Sequence, residues 1–497
     1  MTDRVADLGA LIRRQLGGPS DDPMIRYRDE WKTRRWVRDF ADRLAAAIDA
    51  LGLPADAPIG FAPHNRPEFY AAALALLERQ RTIVMIYAYQ SPEALARKLG
   101  ELNLPAVVIA RDQLVGPVIE RLRDLGTAAI ALDRDEPFVG TPLRYEASRA
   151  HRRGPDEPTV ELLTSGTTGP PKLFPMPYAK LVGRMVASNS MEASSRRPQL
   201  LFFPLGNISG LYLLMGLIGS DDPVILVDKF TVADWVAFVR EVRPGFTNLP
   251  PAAFRMILDA DVDPADLAGI RYVATGAATL DPTLRRQFEA RYAPTRIIQS
   301  YGATEFGGVV AAVQPEHVEQ FGHAKADSVG RPFAGAQLRI LDVGTGAPLP
   351  ACEEGRIEVL APAMSDAWIA TTDLGLIDAD GFLYHRGRLD GAIVRGGFKI
   401  IPEQVAEAIA SHPGVSAAAV LGRPDPRLGQ VPVAVVERLP DTAPPSAQQL
   451  DEHVRGRLPA TMAPTDYLFV GALPRTPSLK IDMVAVRRLF DDRIADR

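Results

Sequence analysis

Between residues 58 and 132, short apolar runs alternate with segments whose apolar residues recur at helical spacing. No other feature restricts the fold as much. Strands are expected at 58–62, 82–86, 106–109 and 128–132, with helices at 67–77, 92–102 and 116–125 between them. Strands separated by helix-length segments are joined by βαβ crossovers and run parallel. Upstream, Trp36, Val37, Phe40, Leu44, Ile48 and Leu51 share one helical face, and Gly52 stands where a C-terminal cap belongs. The alternation resumes with a strand at 224–227, a helix at 232–242 and strands at 272–274 and 295–298. From Gly330 the texture changes to short strands and turns, among them 337–341 and 355–359, which implies a small, mostly antiparallel subdomain. Beyond it a separate α+β unit is expected, with helices at 403–411 and 448–458 and strands at 417–421 and 431–436.

The expected fold is therefore α/β. A chain of 497 residues exceeds what one core supports. The run Gly387-Arg388-Leu389-Asp390-Gly391 brackets a charged turn with glycines, as a hinge requires. It divides a large N-terminal domain, 1–389, from a small mobile C-terminal domain, 390–497. Lys+Arg 56 against Asp+Glu 61 leaves a net charge of −5, and no basic run argues for nucleic acid. Cys352 stands alone, so no intrachain disulfide framework exists. With neither a signal pattern nor an 18-residue apolar span, a cytoplasmic protein without a membrane span is expected.

The densest chemistry lies in Leu163-Thr164-Ser165-Gly166-Thr167-Thr168-Gly169-Pro170-Pro171-Lys172, which follows the β-like run 159–163. Glycine lets backbone N–H groups turn toward an anion, and the hydroxyls and Lys172 add donors, a set that suits a polyphosphate. The spacing Gly166-x-x-Gly169-x-x-Lys172 is not the Walker pattern, which disfavours an ordinary P-loop NTPase. A second run, Gln299-Ser300-Tyr301-Gly302-Ala303-Thr304-Glu305, is expected in the loop at the C-terminal end of strand 295–298, where α/β sheets hold ligands. Its aromatic, hydroxyl and carboxylate suit a base, a phosphate and Mg²⁺.

These two runs, in this order, resemble the signatures of the adenylate-forming superfamily: acyl-CoA synthetases, firefly-type luciferases and nonribosomal peptide adenylation domains. Thr275-Gly276-Ala277-Ala278-Thr279-Leu280, Thr371-Thr372-Asp373-Leu374-Gly375, Gly387 to Gly391, Gly396-Gly397 and Leu473 to Ile481 continue the match. The resemblance implies a nucleotide site made of Thr164, Ser165, Gly166, Thr167, Thr168, Gly169, Gly276, Ala277, Ala278, Gln299, Ser300, Tyr301, Gly302, Thr304, Asp373 and Arg388. Tyr301 would stack on adenine, Thr304 would contact the α-phosphate and Asp373 would accept the ribose hydroxyls. Glu305 would be the magnesium ligand, and Lys172, Thr304, Glu305 and Lys480 the catalytic set. Asp390 would be the pivot, while Gly396, Gly397 and Lys399 would line the path of the CoA thiol arm.

The implied reaction uses ATP, Mg²⁺ and CoA. A carboxylate attacks the α-phosphorus to give an acyl-adenylate, and rotation about Asp390 then exchanges Lys480 for a thiol tunnel. The acyl pocket would draw on Asn207, Ile208, Tyr212, Asn248, Phe306, Gly307 and Gly308, with an aryl or fatty acid favoured. Several positions depart from the family pattern. Leu173 and Leu479 stand where glycine is usual, Thr372 replaces a glycine, Asn207 takes a position that is often His, and Val394 replaces a frequent lysine. The departures at Leu173 and Leu479 keep open an enzyme that only transfers a preformed acyl-adenylate to CoA. A loader of a separate acyl carrier protein is a further alternative, which would need a surface for that carrier.

Overall fold

The structure, a computed structural model, describes residues 7–133, 144–163, 173–188, 197–276, 278, 280–362, 364–395, 398–440, 442–476 and 479–495. The described chain divides into two compact units, one running to Phe238 and the other from Val239 onward.

In the first unit, a six-stranded sheet has the order Ala128–Leu132, Ala106–Ala110, Ile59–Phe61, Ile83–Met85, Thr159–Leu163, Leu173–Pro177. The first five strands are parallel and the last is antiparallel. Every residue of 106–110 and 128–132 is buried, as strands covered on both faces must be, which is why they read as unbroken apolar runs. The crossover helices end where their local chemistry says. Ser91 caps Pro92–Leu102 by accepting from Ala94 N, and Asn103 closes it in the left-handed conformation. Helix Arg34–Ala50 is followed by Gly52 at φ +63°. A second sheet joins Glu30–Thr33, Pro23–Tyr27, Val224–Leu226 and Gln199–Leu201.

The second unit is built on the strand Arg296–Ala303. Its first half runs parallel to Tyr272–Thr275, which pairs in turn with Phe246–Asn248. Its second half is antiparallel to Gly308–Ala312. The strand is thus longer than the sequence suggests: Gln299 to Ala303 belong to it, and only Thr304–Phe306 form the turn. The extension is non-local, since it follows from pairing Ser300 with Ala312 and Tyr301 with Ala311. A four-stranded antiparallel sheet follows, of Gln337–Leu341, Gly355–Leu360, Ile369–Ile377 and Leu383–Arg388.

The last layer of this unit is α+β. In its hairpin Val415–Asp425/Gly429–Arg438, the second strand carries on its outer edge both Tyr467–Val470 and, at the Gly429 end, the short pair Ile393–Arg395 and Phe398–Ile400. Val405 and Ile409 of helix Pro402–Ala410, with Leu450 and Val454 of helix Ala447–Arg455, pack one face. Val486 and Phe490 of helix Met483–Ala495 pack with Leu421, Val433 and Leu468. Among the described residues, no helix is long and apolar enough to cross a membrane.

Candidate active site

In the second unit the sequence-predicted residues converge where the parallel strand Tyr272–Thr275 ends beside Ser300. Ser300 Oγ donates to Thr275 O at 3.2 Å. Gly276 follows at once, and a Cβ there would stand 2.5 Å from Ser300 Oγ, so any side chain would have to displace that hydroxyl. Gly302 meets a similar constraint: a Cβ would run into the Gly308 carbonyl across the hairpin, next to the register shift at Tyr301/Gly302. Gln299 is buried, and its amide donates to Ala326 O at 2.9 Å.

Tyr301 is 8% exposed, and its phenol donates to Asp373 Oδ2 at 2.5 Å. Burial pushes the phenol well above its usual range, and the charge of Asp373 adds to the shift. Asp373 pairs across the sheet with Arg388, 3.7 Å away, and His385 Nε2 lies 3.7 Å from the same carboxylate. Burial alone would raise the Asp373 carboxyl. The nearby His385 imidazole, the hydrogen bond from Tyr301 and the charge of Arg388 outweigh it and hold the group below its ordinary value.

Arg388 makes a two-pronged pair with Asp390, Nε to Oδ1 at 2.9 Å and Nη2 to Oδ2 at 2.7 Å. That hydrogen-bonded pairing is what raises the guanidinium above its usual value. Arg388 Nη2 also donates to Thr372 Oγ1 at 2.8 Å. The threonine standing where glycine is usual thus has a definite task.

Thr304 and Glu305 occupy the hairpin turn, both half-buried. Among the described residues, neither side chain has a hydrogen-bond or ion-pair partner, unlike the carboxylates of Asp373 and Asp390. Phe306 is buried, with its ring centroid 5.9 Å from that of Tyr301. Gly307 and Gly308 complete the turn at φ +66° and +102°. Asn248 ends its strand half-buried, and Ala278 is exposed.

Lys480 follows a turn in which Leu479 N donates to Thr476 O at 2.8 Å and Thr476 N donates to Lys480 O at 2.7 Å. Leu479 sits at φ +62°, the left-handed region that glycine would enter freely. The leucine therefore holds a backbone shape that glycine would adopt without strain. Lys480 retains an exposed surface, but desolvation by the surrounding protein holds its ammonium below the ordinary lysine value. It has no ion-pair partner among the described residues.

In the first unit, Asn207 immediately precedes helix Ile208–Ser220, which carries Ile208 and Tyr212. The loop ahead of it is pinned by Asn65, a residue the sequence reading missed. Asn65 Nδ2 donates to Phe203 O at 3.1 Å and Val227 O at 3.2 Å, and its Oδ1 accepts from Leu205 N at 3.1 Å. His385 was missed as well, because nothing local to it announces Asp373. Thr164 to Gly169, Lys172, Ala277, Gly396 and Gly397 lie outside the described residues, as does the Lys399 side chain. The strands that precede and follow the first motif pair Leu163 with Leu173, so Leu173 opens the second of them.

A family model described as AMP-binding enzyme matches residues 12–366, and one described as AMP-binding enzyme C-terminal domain matches 404–480. The chain belongs to this family, the adenylate-forming enzymes, in its acyl-CoA synthetase branch. Indoleacetate–CoA ligase of Aromatoleum aromaticum is 27% identical, with 97% of this chain and 98% of that protein covered. A 2-succinylbenzoate–CoA ligase of Bacillus velezensis is 31% identical, with 66% of this chain and 68% of that protein covered. The solved structure of o-succinylbenzoate CoA synthetase from Bacillus subtilis, with its acyl-adenylate intermediate, superposes with a TM-score of 0.79. It is 22% identical, with 95% of this chain and 96% of that chain covered, a likeness of fold.

Proposed function

We propose that this chain is an acyl-CoA ligase that activates an aryl or fatty carboxylic acid with ATP and passes the acyl group to CoA, releasing AMP and pyrophosphate. The observation that carries this reading is the pair Thr304 and Glu305, half-buried and unpartnered among the described residues, in the turn that continues the strand of Tyr301.

Each residue then has a task. Tyr301 offers a ring to the base, a contact worth roughly 1–3 kcal/mol in nucleic-acid systems. Asp373, ionised and held by Tyr301, accepts the ribose hydroxyls. Thr304 donates to the α-phosphate, and Lys172 with the run 164–169 would hold the β- and γ-phosphates. Lys480, without an ion-pair partner among the described residues, brings its ammonium to the carboxylate and α-phosphate as charge shifts between them, the kind of preorganised donor that matters most in the transition state. Among the described residues, no group of three His, Cys, Asp or Glu could hold a metal, so Glu305 would share Mg²⁺ with the nucleotide's phosphates and water. The ion would neutralise phosphate charge. Asp390, proposed as the pivot between domains 1–389 and 390–497, lies in the interval between the two matched regions, 12–366 and 404–480. Gly396, Gly397 and Lys399 would border the thiol path, and Asn207, Ile208, Tyr212, Asn248, Phe306, Gly307 and Gly308 the acid.

A second reading, transfer of a preformed acyl-adenylate to CoA without adenylation, draws on the strained Leu479 beside Lys480. One experiment separates the two. Pyrophosphate release is measured with Mg·ATP and benzoate, indole-3-acetate, 2-succinylbenzoate, octanoate or palmitate, without CoA; in parallel, CoA is given each synthetic acyl-adenylate. Pyrophosphate from at least one acid supports the full ligase. Thioester from adenylates with no pyrophosphate from any parent acid supports the half-reaction enzyme.

A further inference from the structure

The catalytic lysine proposed above rides on a hairpin, and the hairpin is held at its base by a carboxylate far away in sequence. After strand Tyr467–Val470 the chain passes through Leu473, Pro474 and Arg475, turns, and returns through Lys480 and Ile481. Arg475 bridges to Ile481, and Asp482 N donates to Pro474 O at 2.9 Å. Leu473 and Ile481 pack with Leu468, Val486 and Phe490.

Glu437, near the end of strand Gly429–Arg438 and in register with Val470, reaches this base. Its Oε2 accepts from Leu473 N at 2.7 Å and from Arg475 Nη2 at 3.3 Å, and its Oε1 accepts from Ser416 Oγ at 2.9 Å. The side chain is 13% exposed. A neutral apolar residue there would leave Leu473 N–H unpaired and strip Arg475 of its counter-charge, loosening the outgoing arm whose partner carries Lys480.

We propose that Glu437 is a positioning residue for Lys480. It fixes the outgoing arm, the Thr476–Leu479 turn fixes the return, and together they set where the ammonium stands. The inference rests on Lys480 acting in adenylation, so its test keeps the two claims apart.

Glu437→Ala, Glu437→Gln and Lys480→Ala are compared with the parent in both half-reactions, using the acid of the panel that releases pyrophosphate fastest. Glu437→Ala is expected to lower kcat for pyrophosphate release at least tenfold, with KM for ATP and acyl transfer from the synthetic adenylate within twofold of the parent. Glu437→Gln keeps an acceptor for Leu473 N and should recover part of that loss. It also carries the test if the alanine variant does not fold. Hydrogen exchange, which needs no substrate, should show Leu473 N–H and Thr476 N–H less protected in Glu437→Ala, with part of that protection kept in Glu437→Gln. The inference is overturned if Lys480→Ala abolishes pyrophosphate release while both Glu437 variants retain it. It is also overturned if both half-reactions fall in parallel, the mark of a merely structural role, or if protection is unchanged. Normal pyrophosphate release by Lys480→Ala would instead sink the role of Lys480 itself, and with it any need to position it.

Discussion

The Tyr301 phenol donates to Asp373 Oδ2 at 2.5 Å, joining two motifs that lie far apart in the chain. The bond orients the ring by its hydroxyl and the carboxylate by one oxygen. Tyr301→Phe keeps the ring and loses the bond. A hydrogen bond to a charged group is worth about 1.5–3 kcal/mol, so KM for ATP should rise by about tenfold or more. Pyrophosphate-release kinetics check this, and an unchanged KM would show that the bond does not matter to the nucleotide.

Lys480→Ala removes an ammonium that has no ion-pair partner among the described residues. Pyrophosphate formation should fall by about 10²–10³-fold, as when one preorganised transition-state donor is deleted. Thioester formation from a supplied acyl-adenylate should survive if, as proposed, rotation about Asp390 withdraws the lysine from that step. Parallel loss of both would contradict the assignment.

Leu479→Gly tests the strained turn directly. A left-handed conformation costs an L-residue roughly 1–2 kcal/mol, and a glycine gives back roughly 0.5–1 kcal/mol in chain entropy. The substitution should therefore stabilise the C-terminal layer by about 0.5–1 kcal/mol, read as a higher midpoint in thermal unfolding. A lower midpoint would mean that the leucine side chain contributes more than its backbone costs.

His412 and His453 face each other at 5.0 Å between ring centroids, and Arg457 Nη1 lies 3.1 Å from His453 Nδ1. Burial first, then the charge of Arg457, holds both imidazoles below the ordinary histidine value. Between their folded and unfolded values the unfolded chain binds more protons, so stability rises with pH there. The contribution is fully present above about pH 6.5 and is lost as pH falls from there toward the lowered folded values. Thermal midpoints at pH 7.5 and 5.5 should differ by less in His412→Asn/His453→Asn than in the parent. An equal difference would place the acid sensitivity elsewhere.

Legibility in the sequence followed the range of the forces involved. Helix Pro92–Leu102 could be read to the residue because Ser91, Pro92 and Asn103 each act on adjacent backbone. Strands Ala106–Ala110 and Ala128–Leu132 could be read because burial on both faces leaves a run with no polar interruption. The strand Arg296–Ala303 was read too short, since its second half exists only through pairing with Gly308–Ala312. Asn65, His385 and Glu437 gave no signal, because each acts on a partner that only folding brings near.

By itself the sequence determined the α/β alternation, the order of the adenylate-forming motifs and the family, because local periodicity and short motifs carry that information. Tertiary structure decided that Tyr301 holds Asp373, that Arg388 is paired with both Asp390 and Thr372, and that Leu479 holds a backbone shape that glycine would adopt without strain. Hydrogen bonds and ion pairs depend on distances of about 3 Å, which chain separation does not encode.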